Sequence, residues 1–334
     1  MKKLLVFLVF LLAAGILFAG GKSDSQTGKT VELIYTLNAP GTDTQGGGQR
    51  VFKEVVERLS GGQIKVSCYD SASLFRQEQE LGAVKSGQAD IAVISAPWLT
   101  DASPWVSMFA AGYIFRNAAH MDAVMNGEIG KQVYEKILKD QGVRPLGSMY
   151  FGTRQLNMVE DKPIRTPADL RGVNLRMPNT EAYLFLGQAM GANPTPISFA
   201  EIYIALQTKA VEGQDNPLPT TISSKWYEVT KSISLTYHCV DNVWITINEA
   251  KWQSLTAQQK EWVMEGVRAN IKYGYDTNTK IEADAVQYLK NQGLKVYEAD
   301  VDAFAKYVLE QYLRSDYAKS WDMDLFNKIQ AMAK

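Results

Sequence analysis

The sequence predicts an α/β protein built from two domains, followed by a helical C-terminal region. The chain has 334 residues, too many for one compact domain and about right for two of ordinary size. Segments typical of strands and of helices alternate twice along it, and helical patterns dominate its last quarter. Hydrophobic residues make up 46% of the chain, enough to build a core in each domain.

The N-terminal segment resembles an export signal. Two lysines precede an apolar run, Leu4–Leu17, and small residues follow it. The run is shorter than the roughly 20 residues that span a bilayer. We therefore expect a signal peptide over residues 1–21, a polar tether over 22–30, and export to the periplasm. Because the small residues match a cleavage site poorly, a retained N-terminal anchor is the alternative.

The first α/β unit follows the predicted tether. Alternating apolar residues favour strands, helical periodicity favours helices, and glycine or proline separates them. The predicted strands cover residues 31–38, 64–69 and 89–95, and the predicted helices cover residues 44–59 and 75–86. Strands that alternate with helices form a parallel sheet with right-handed crossovers.

The pattern then repeats. A helix over 120–140 and a strand over 143–150 lead into a second unit, in which Thr166 and Ser198 each open a predicted helix with a capping box. The remaining predicted strands are 172–177, 211–214 and 242–248, and the remaining predicted helices are 181–190, 256–289, 301–313 and 317–333.

The order of these elements predicts the domain boundaries. We expect a first lobe of residues 31–152 with about 240–255, a second lobe of 153–239, and a helical region, 256–334, that braces both. The chain crossings between the lobes would form a hinge.

The sequence shows no recognisable catalytic or metal-binding motif. His120 and His238 lack companions at metal-ligand spacing, so neither a metal nor a cofactor is expected. The sequence contains no nucleophile elbow, P-loop or dinucleotide fingerprint. Gly46–Gly48 would either approach an anion or allow tight packing. Cys68 and Cys239 permit a disulfide, with two buried free thiols as the alternative.

Charge and motif content together favour a binding protein. The formal net charge of −1 provides no excess of positive charge for a phosphate backbone, so nucleic acid is not expected as a partner. A pair of carboxylates able to hydrolyse glycosides is not singled out among the 36 acidic residues.

A string of motifs between residues 149 and 217 resembles the DctP-type substrate-binding proteins of tripartite ATP-independent periplasmic (TRAP) transporters. The likeness extends from about Val31 to the C-terminal helices. The motifs are Gly152-Thr153-Arg154-Gln155, Pro163-Ile164, Asp169-Leu170-Arg171-Gly172, Leu175-Arg176-Met177-Pro178-Asn179, Gly191-Ala192-x-Pro194-Thr195-Pro196, Glu201-x-Tyr203-x-Ala205-Leu206-Gln207 and Glu212-Gly213-Gln214-x-Asn216-Pro217.

The resemblance implies a two-lobed periplasmic binding protein, or Venus flytrap, with a hinge and a long bracing C-terminal helix. Such a protein closes over a small organic acid and delivers it to the small and large membrane subunits of a TRAP transporter. Arg176 matches the arginine that forks onto the ligand carboxylate, a geometry that lysine cannot reproduce. Without the motif, an ion pair with a neighbouring acid would be the alternative for Arg176.

Other positions match the family's ligand contacts. Arg154 matches a second arginine that faces the ligand in the sialic-acid branch, and Asn216 matches an asparagine that bonds the same carboxylate. Asn38 matches a polar contact from the other lobe, and Phe199 an aromatic wall. A turn residue and a core aromatic are the alternatives for Asn38 and Phe199.

The sequence departs from the sialic-acid branch at the far end of the site. Ser95 and Trp98 occupy the positions of a glutamate and an arginine, and Gln77, beside Arg76, that of an acidic residue, which argues against sialic acid. Trp98 either stacks on a sugar ring or apolar tail or packs between the lobes. Arg76 either receives a second carboxylate, as in a dicarboxylate or uronic acid, or lies in solvent at a helix start.

Two other functions remain open from the sequence. The chain would serve a different importer or a sensor as its binding protein, or it would be an exported carbohydrate-active enzyme such as a lyase acting on uronates. Copurified partners distinguish the first alternative, and product formation distinguishes the second.

Overall fold

A computed structural model describes residues 30–333. The predicted signal peptide, residues 1–21, and nearly all of the predicted tether lie outside the described residues. Within 30–333, no helix combines the length and the apolar character that crossing a bilayer requires.

The described chain contains nine strands and twelve α-helices, together with short 3-10 turns. The strands are β1 Val31–Thr36, β2 Ile64–Tyr69, β3 Ile91–Ile94, β4 Val143–Met158, β5 Asn174–Met177, β6 Asn193–Pro196, β7 Gly213–Pro217, β8 Ser232–Asn248 and β9 Lys295–Glu298. The helices are α1 Thr44–Leu59, α2 Gln77–Ser86, α3 Ala118–Met125, α4 Glu128–Gln141, α5 Glu181–Ala189, α6 Ile202–Gln207, α7 Leu218–Ser223, α8 Glu249–Ser254, α9 Ala257–Asn291, α10 Val301–Arg314, α11 Asp316–Lys319 and α12 Met323–Met332.

The strands form one mixed sheet in the order β2-β1-β3-β8-β4-β7-β5-β6, with β9 added beside β8. At one end β1 pairs in parallel with β2 and β3, and at the other β5 pairs in parallel with β6 and β7. The predicted α/β class is therefore confirmed. We call the end with β1–β3 the first half and the end with β5–β7 the second half.

The two halves are joined by β4 and β8, which are antiparallel to each other and run through both. Their pairing is irregular at three points, and one of these bulges places four residues, 235–238, opposite Gln155 alone. Gly152 lies at another, with a φ of +125° that favours glycine, and a Cβ there would approach Cβ of Pro217 to 2.6 Å. These irregularities bend the connection between the halves.

Helix α9 braces both halves along its 35 residues, about 52 Å at 1.5 Å per residue. Its N-terminal portion packs against α1, where Gly47 and Gly48 make room for Tyr273 and Asn270. Of the two alternatives predicted for Gly46–Gly48, the structure therefore favours tight packing. Nearer its C-terminus, Ala285 and Leu289 share a buried cluster with residues of α7 and β8.

Several predicted elements were wrong in extent. The single helix expected over 120–140 is two helices, α3 and α4, which Asn126 and Gly127 separate. The Asn126 side chain exchanges hydrogen bonds with the main chain of Ser148 at 2.8 and 2.9 Å. Likewise the helix expected over 317–333 is divided into α11 and α12. The strands predicted to end at 150 and begin at 242 continue to 158 and start at 232.

Strand β6 was not predicted, because Pro194 and Pro196 argue against a strand. It forms the edge of the sheet, the position where proline is tolerated, since an edge strand leaves one side without ladder bonds.

Neither cysteine forms a disulfide in the described structure. Cys68 is half-buried on β2 and Cys239 is buried on β8. His120 is also buried, with Nε2 2.8 Å from the carbonyl oxygen of Ile329 and Nδ1 accepting from the Arg116 amide. It therefore serves packing.

Candidate functional site

A small cavity of about 30 Å³ lies between the two halves. The parallel strands of both halves direct their carboxyl ends toward it, which is where α/β sheets place ligands. The first half contributes Asn38, Gln45, Gln77, Val93, Ser95, Phe151 and Val243, the second contributes Arg154, Arg176, Pro178, Tyr183, Phe199 and Asn216, and Asp241 lies on β8 where the two halves join.

Arg176 on β5 presents a guanidinium to this cavity without a counter-charge bonded to it. The residue is 1% exposed. Nε donates to the carbonyl oxygen of Ile197 at 2.8 Å, whereas Nη2 is buried and has no hydrogen-bond partner among the described residues. Burial lowers the pKa of Arg176 to about 9, so the group stays protonated at neutral pH. A buried cation with an unused donor favours the binding of an anion.

Arg154 on β4 lines the same cavity, but acidic side chains already surround its guanidinium. Nε and Nη2 donate to the two carboxylate oxygens of Asp215 at 2.6 and 3.1 Å, and Nη1 donates to Asp241 Oδ2 at 2.7 Å. Its charge also lies 5.1 Å from the ring centre of Tyr183. The donors of Arg154 are therefore largely used within the protein.

His238 joins this network through the bulge of β8. Its Nε2 lies 3.2 Å from Asp215 Oδ2, and its Nδ1 lies 2.7 Å from the Thr236 hydroxyl. Burial lowers the pKa of His238, which favours the neutral ring. Burial alone would raise the pKa of Asp215, but Arg154 and the His238 hydrogen bond outweigh it and hold that pKa below 3.8.

The wall from the first half consists of neutral polar groups. Asn38 follows β1 and Ser95 follows β3, while Gln45 and Gln77 lie in the first turns of α1 and α2. Behind this wall, Glu80 is fully buried and its Oε2 accepts from Asn38 Nδ2 at 3.3 Å.

The structure brings together most of the site residues that the sequence predicted. The seven that line the cavity are Arg176, Arg154, Asn216, Asn38, Phe199, Gln77 and Ser95. Asn216 donates to Gln214 Oε1 at 2.7 Å, and Phe199 packs edge-on against Trp226 with ring centres 5.5 Å apart.

Trp98 and Arg76 do not line this cavity. Trp98 borders a separate cavity of about 440 Å³, also between the halves, together with Glu78 and Asn179. Arg76 is exposed and lies 3.6 Å from Glu201 Oε1 in an ion pair between α2 and the turn before α6. In the described structure its guanidinium is thus paired outside the cavity.

The two halves also touch beside the cavity. The Ser198 hydroxyl of the second half donates to Glu78 Oε1 of the first at 2.5 Å. A cavity of about 30 Å³ holds about two water molecules, so an organic acid requires the halves to move apart before it enters. The described conformation is therefore a closed one.

Tyr183 and Asp241 were not predicted from the sequence, although both line the cavity. Asp241 lies next to the β8 bulge, and its partner Arg154 is 87 residues away in the chain. Tyr183 donates to Asp241 Oδ2 at 3.5 Å. Neither position carries a local pattern that distinguishes it from an ordinary strand or helix residue.

Comparison with known proteins agrees with this architecture. The family model of the bacterial extracellular solute-binding proteins, family 7 (DctP), matches residues 36–319. The chain belongs to this family. The DctP resemblance predicted from the motifs is thus confirmed.

Individual known proteins are similar to this chain over most of its described length. The sialic acid-binding periplasmic protein SiaP of Vibrio cholerae is 30% identical over 283 residues, 85% of this chain and 87% of that protein. A TRAP periplasmic solute-binding protein from Roseobacter denitrificans, solved with bound 3-deoxy-D-manno-oct-2-ulosonic acid, is 39% identical, with a TM-score of 0.87 over 91% of this chain and 100% of that one.

A second TRAP protein from Roseobacter denitrificans, solved with L-galactonate, is 26% identical, with a TM-score of 0.82 over 91% of this chain and 99% of that one. These likenesses confirm the predicted two-lobed binding-protein fold with its long helix α9. Family and fold are those of binding proteins.

Proposed function

We propose that this DctP-family protein binds a small organic acid in the periplasm, holds its carboxylate on Arg176, and delivers it to the membrane subunits of a TRAP transporter. The observation that carries the proposal is the buried guanidinium of Arg176, whose Nη2 lacks a partner among the described residues and lies beside a cavity between two halves. A carboxylate supplies the charge and the acceptor that this group lacks.

The remaining polar groups of the second half support Arg176. Asn216 lies on β7, the strand that pairs with β5, and also lines the cavity. We assign it a hydrogen bond to the bound acid. The donors of Arg154 are occupied by Asp215 and Asp241, so we assign it a supporting role, in which it fixes the shape and the electrostatic potential of the cavity wall.

Closure of the two halves over the acid is the working step. We assign the lobes to the two halves, with the chain crossing near residues 152 and 240, so that the irregular pairing of β4 and β8 provides the hinge. A ligand that enters the open form gains further contacts when the halves close. Because the closed form therefore binds it more tightly, the ligand shifts the population toward the closed form.

The bound acids of the relatives agree with this function. 3-Deoxy-D-manno-oct-2-ulosonic acid and L-galactonate are both sugar acids with a carboxylate, and SiaP is described as sialic acid-binding. The shared element is a carboxylate on a small polar molecule. Membrane delivery is the role that membership of a TRAP-type binding family supports.

A thermal-shift screen of the mature protein tests the proposal. Monocarboxylates, C4-dicarboxylates, uronic acids, sialic acid and neutral sugars would be added separately, each at the same concentration. A ligand at 100 times its Kd stabilises the folded state by about 2.7 kcal/mol, which shifts the transition clearly. Stabilisation confined to acids is expected. Stabilisation by neutral sugars alone, or conversion of a sugar into product, would overturn the proposal.

A further inference from the structure

The cavity wall differs in charge between the two halves, and this difference bears on the class of acid. In the described structure, Arg154 and Arg176 are the only lysine or arginine residues that line the cavity, and both belong to the second half. Asn38, Gln45, Gln77 and Ser95 give the first half hydrogen-bonding groups but no cation.

The buried charges near the ligand already balance before an acid enters. The two guanidinium groups of Arg154 and Arg176 equal in number the two carboxylates of Asp215 and Asp241, both of which are bonded to Arg154, so the formal charges cancel. One carboxylate on Arg176 leaves a single excess negative charge. A second carboxylate would add another in a place without a cation to receive it, and burial of an unpaired charge is costly.

An acidic side chain of the first half would also repel a second carboxylate. Glu78 lies in the first turn of α2 and offsets the positive end of that helix, whereas burial raises the pKa of Glu80 and favours its neutral form. Arg76, the one cation at this helix start, is exposed and paired with Glu201 outside the cavity. The first half therefore suits hydroxyl groups, which both donate to and accept from amides.

Glu80 adds a specific constraint on this wall. Its Oε2 accepts from Asn38 Nδ2, while Oε1 is buried without a partner among the described residues. With Nδ2 directed toward Glu80, the Oδ1 acceptor of Asn38 is left for a hydroxyl in the cavity. Glu80 thus acts through Asn38 rather than on the ligand.

We propose that the site accepts a polyhydroxylated monocarboxylic acid and discriminates against dicarboxylic acids, with Glu80 as a positioning residue that orients Asn38 toward the hydroxylated tail. This inference rests on the proposed function, because it assumes that the ligand carboxylate lies on Arg176.

Calorimetric titration with D-galactonate and galactarate tests the discrimination. The two acids have the same carbon skeleton and differ at C6, where galactarate carries a second carboxylate. Because a buried charge without a partner costs several kcal/mol, the parent protein is expected to bind galactonate at least about 30-fold more tightly than galactarate. 3-Deoxy-D-manno-oct-2-ulosonic acid serves as a second monocarboxylate and succinate as a second dicarboxylate.

The titration separates failure of this inference from failure of the proposed function. If galactarate or succinate binds as tightly as both monocarboxylates, and Arg176→Ala abolishes that binding, the discrimination is overturned while carboxylate capture stands. If none of these acids binds and the thermal-shift screen finds no stabilising acid, both are overturned.

Two further variants test the first-half wall. Gln77→Lys places a cation there and is expected to improve the affinity for galactarate relative to galactonate at least tenfold; an unchanged ratio would contradict the assignment of this wall. Glu80→Leu is expected to weaken galactonate binding about tenfold, whereas Glu80→Gln, which still accepts from Asn38, stays within about threefold of the parent.

Controls keep the Glu80 test independent of folding. Circular dichroism and thermal unfolding establish that each Glu80 variant is folded, and Glu54→Gln neutralises an exposed glutamate of α1 without touching the cavity. Equal binding by the leucine and glutamine variants would overturn the positioning role of Glu80.

Discussion

Arg176 and Arg154 lie on the same cavity wall, yet their replacement by methionine should have opposite effects on stability and binding. Methionine removes the charge and keeps a long, flexible side chain that fills most of the space. The structure distinguishes the two positions by their partners: Nη2 of Arg176 has none among the described residues, whereas Arg154 is held by Asp215 and Asp241.

For Arg176→Met, we expect loss of ligand affinity without a comparable loss of stability. Truncating one partner of a desolvated charge pair costs about 2–5 kcal/mol, which corresponds to a weakening of roughly 30-fold to several thousandfold. The ligand-free protein loses the Nε bond to Ile197 but is also relieved of a buried charge that lacks a bonded counter-charge. Its melting temperature should therefore stay near that of the parent, because the loss of one of the two cations that balance Asp215 and Asp241 opposes that relief.

For Arg154→Met, we expect a larger loss of folding stability than of ligand affinity. The substitution leaves two buried aspartates without their cation, which costs about 3–5 kcal/mol of folding free energy. Denaturant unfolding measures that loss directly.

Calorimetric titration with an acid identified by the thermal-shift screen measures the binding of each variant. Arg76→Ala is the matched control, because its exposed ion pair with Glu201 contributes at most about 1 kcal/mol, or fivefold in affinity. The reasoning is refuted if Arg176→Met binds like the parent, or if it destabilises the ligand-free protein as much as Arg154→Met does.

Three further outcomes follow from the same structure. Asp215→Asn should lower the free energy of unfolding by about 3 kcal/mol in urea, because Arg154 loses a bidentate partner; a loss below about 1 kcal/mol would show that this pair contributes little. Because the pKa of Asp215 is held below 3.8, its contribution to folding stability is complete above about pH 4 and declines as the pH falls further. The parent protein should therefore lose more stability in acid than Asp215→Asn does. Parallel profiles of stability against pH for the two proteins would argue against this linkage. Gly152→Ala should lower the free energy of unfolding by about 1–3 kcal/mol, because a φ of +125° strains any residue with a Cβ and that Cβ would collide with Pro217. Gly82→Ala is the control, since a Cβ at Gly82 meets open space. Equal stability of the two variants would contradict the strain at Gly152.

Local patterns were sufficient to predict much of the fold. Helix α1 and strand β2 have the predicted bounds. The signals that mark them, an amphipathic pattern between polar caps and a strand pattern after paired glycines, involve only residues that are neighbours in the sequence. The long strands β4 and β8 were predicted too short, because the parts that were missed, residues 151–158 of β4 and 232–241 of β8, pair with each other across 70 or more residues and through bulges. Sequence periodicity does not report such pairing.

The candidate site was predicted through motifs more than through physical patterns. Arg176 was identified by the motif around it, and the structure adds that its Nη2 lacks a bonded partner. The sequence did not reveal that Arg154 is neutralised by Asp215 and Asp241, because one of these contacts depends on the β8 bulge and on chain segments far apart. It also left two alternatives for Arg76, and the ion pair with Glu201 favours the one outside the cavity.

A crystal structure of the protein with the acid that gives the largest thermal shift tests the central claim most directly. The account predicts a ligand enclosed between the halves, with its carboxylate oxygens about 2.7–2.9 Å from the guanidinium nitrogens of Arg176. A carboxylate bound elsewhere in the cleft, with Arg176 still lacking an anionic partner, would contradict it.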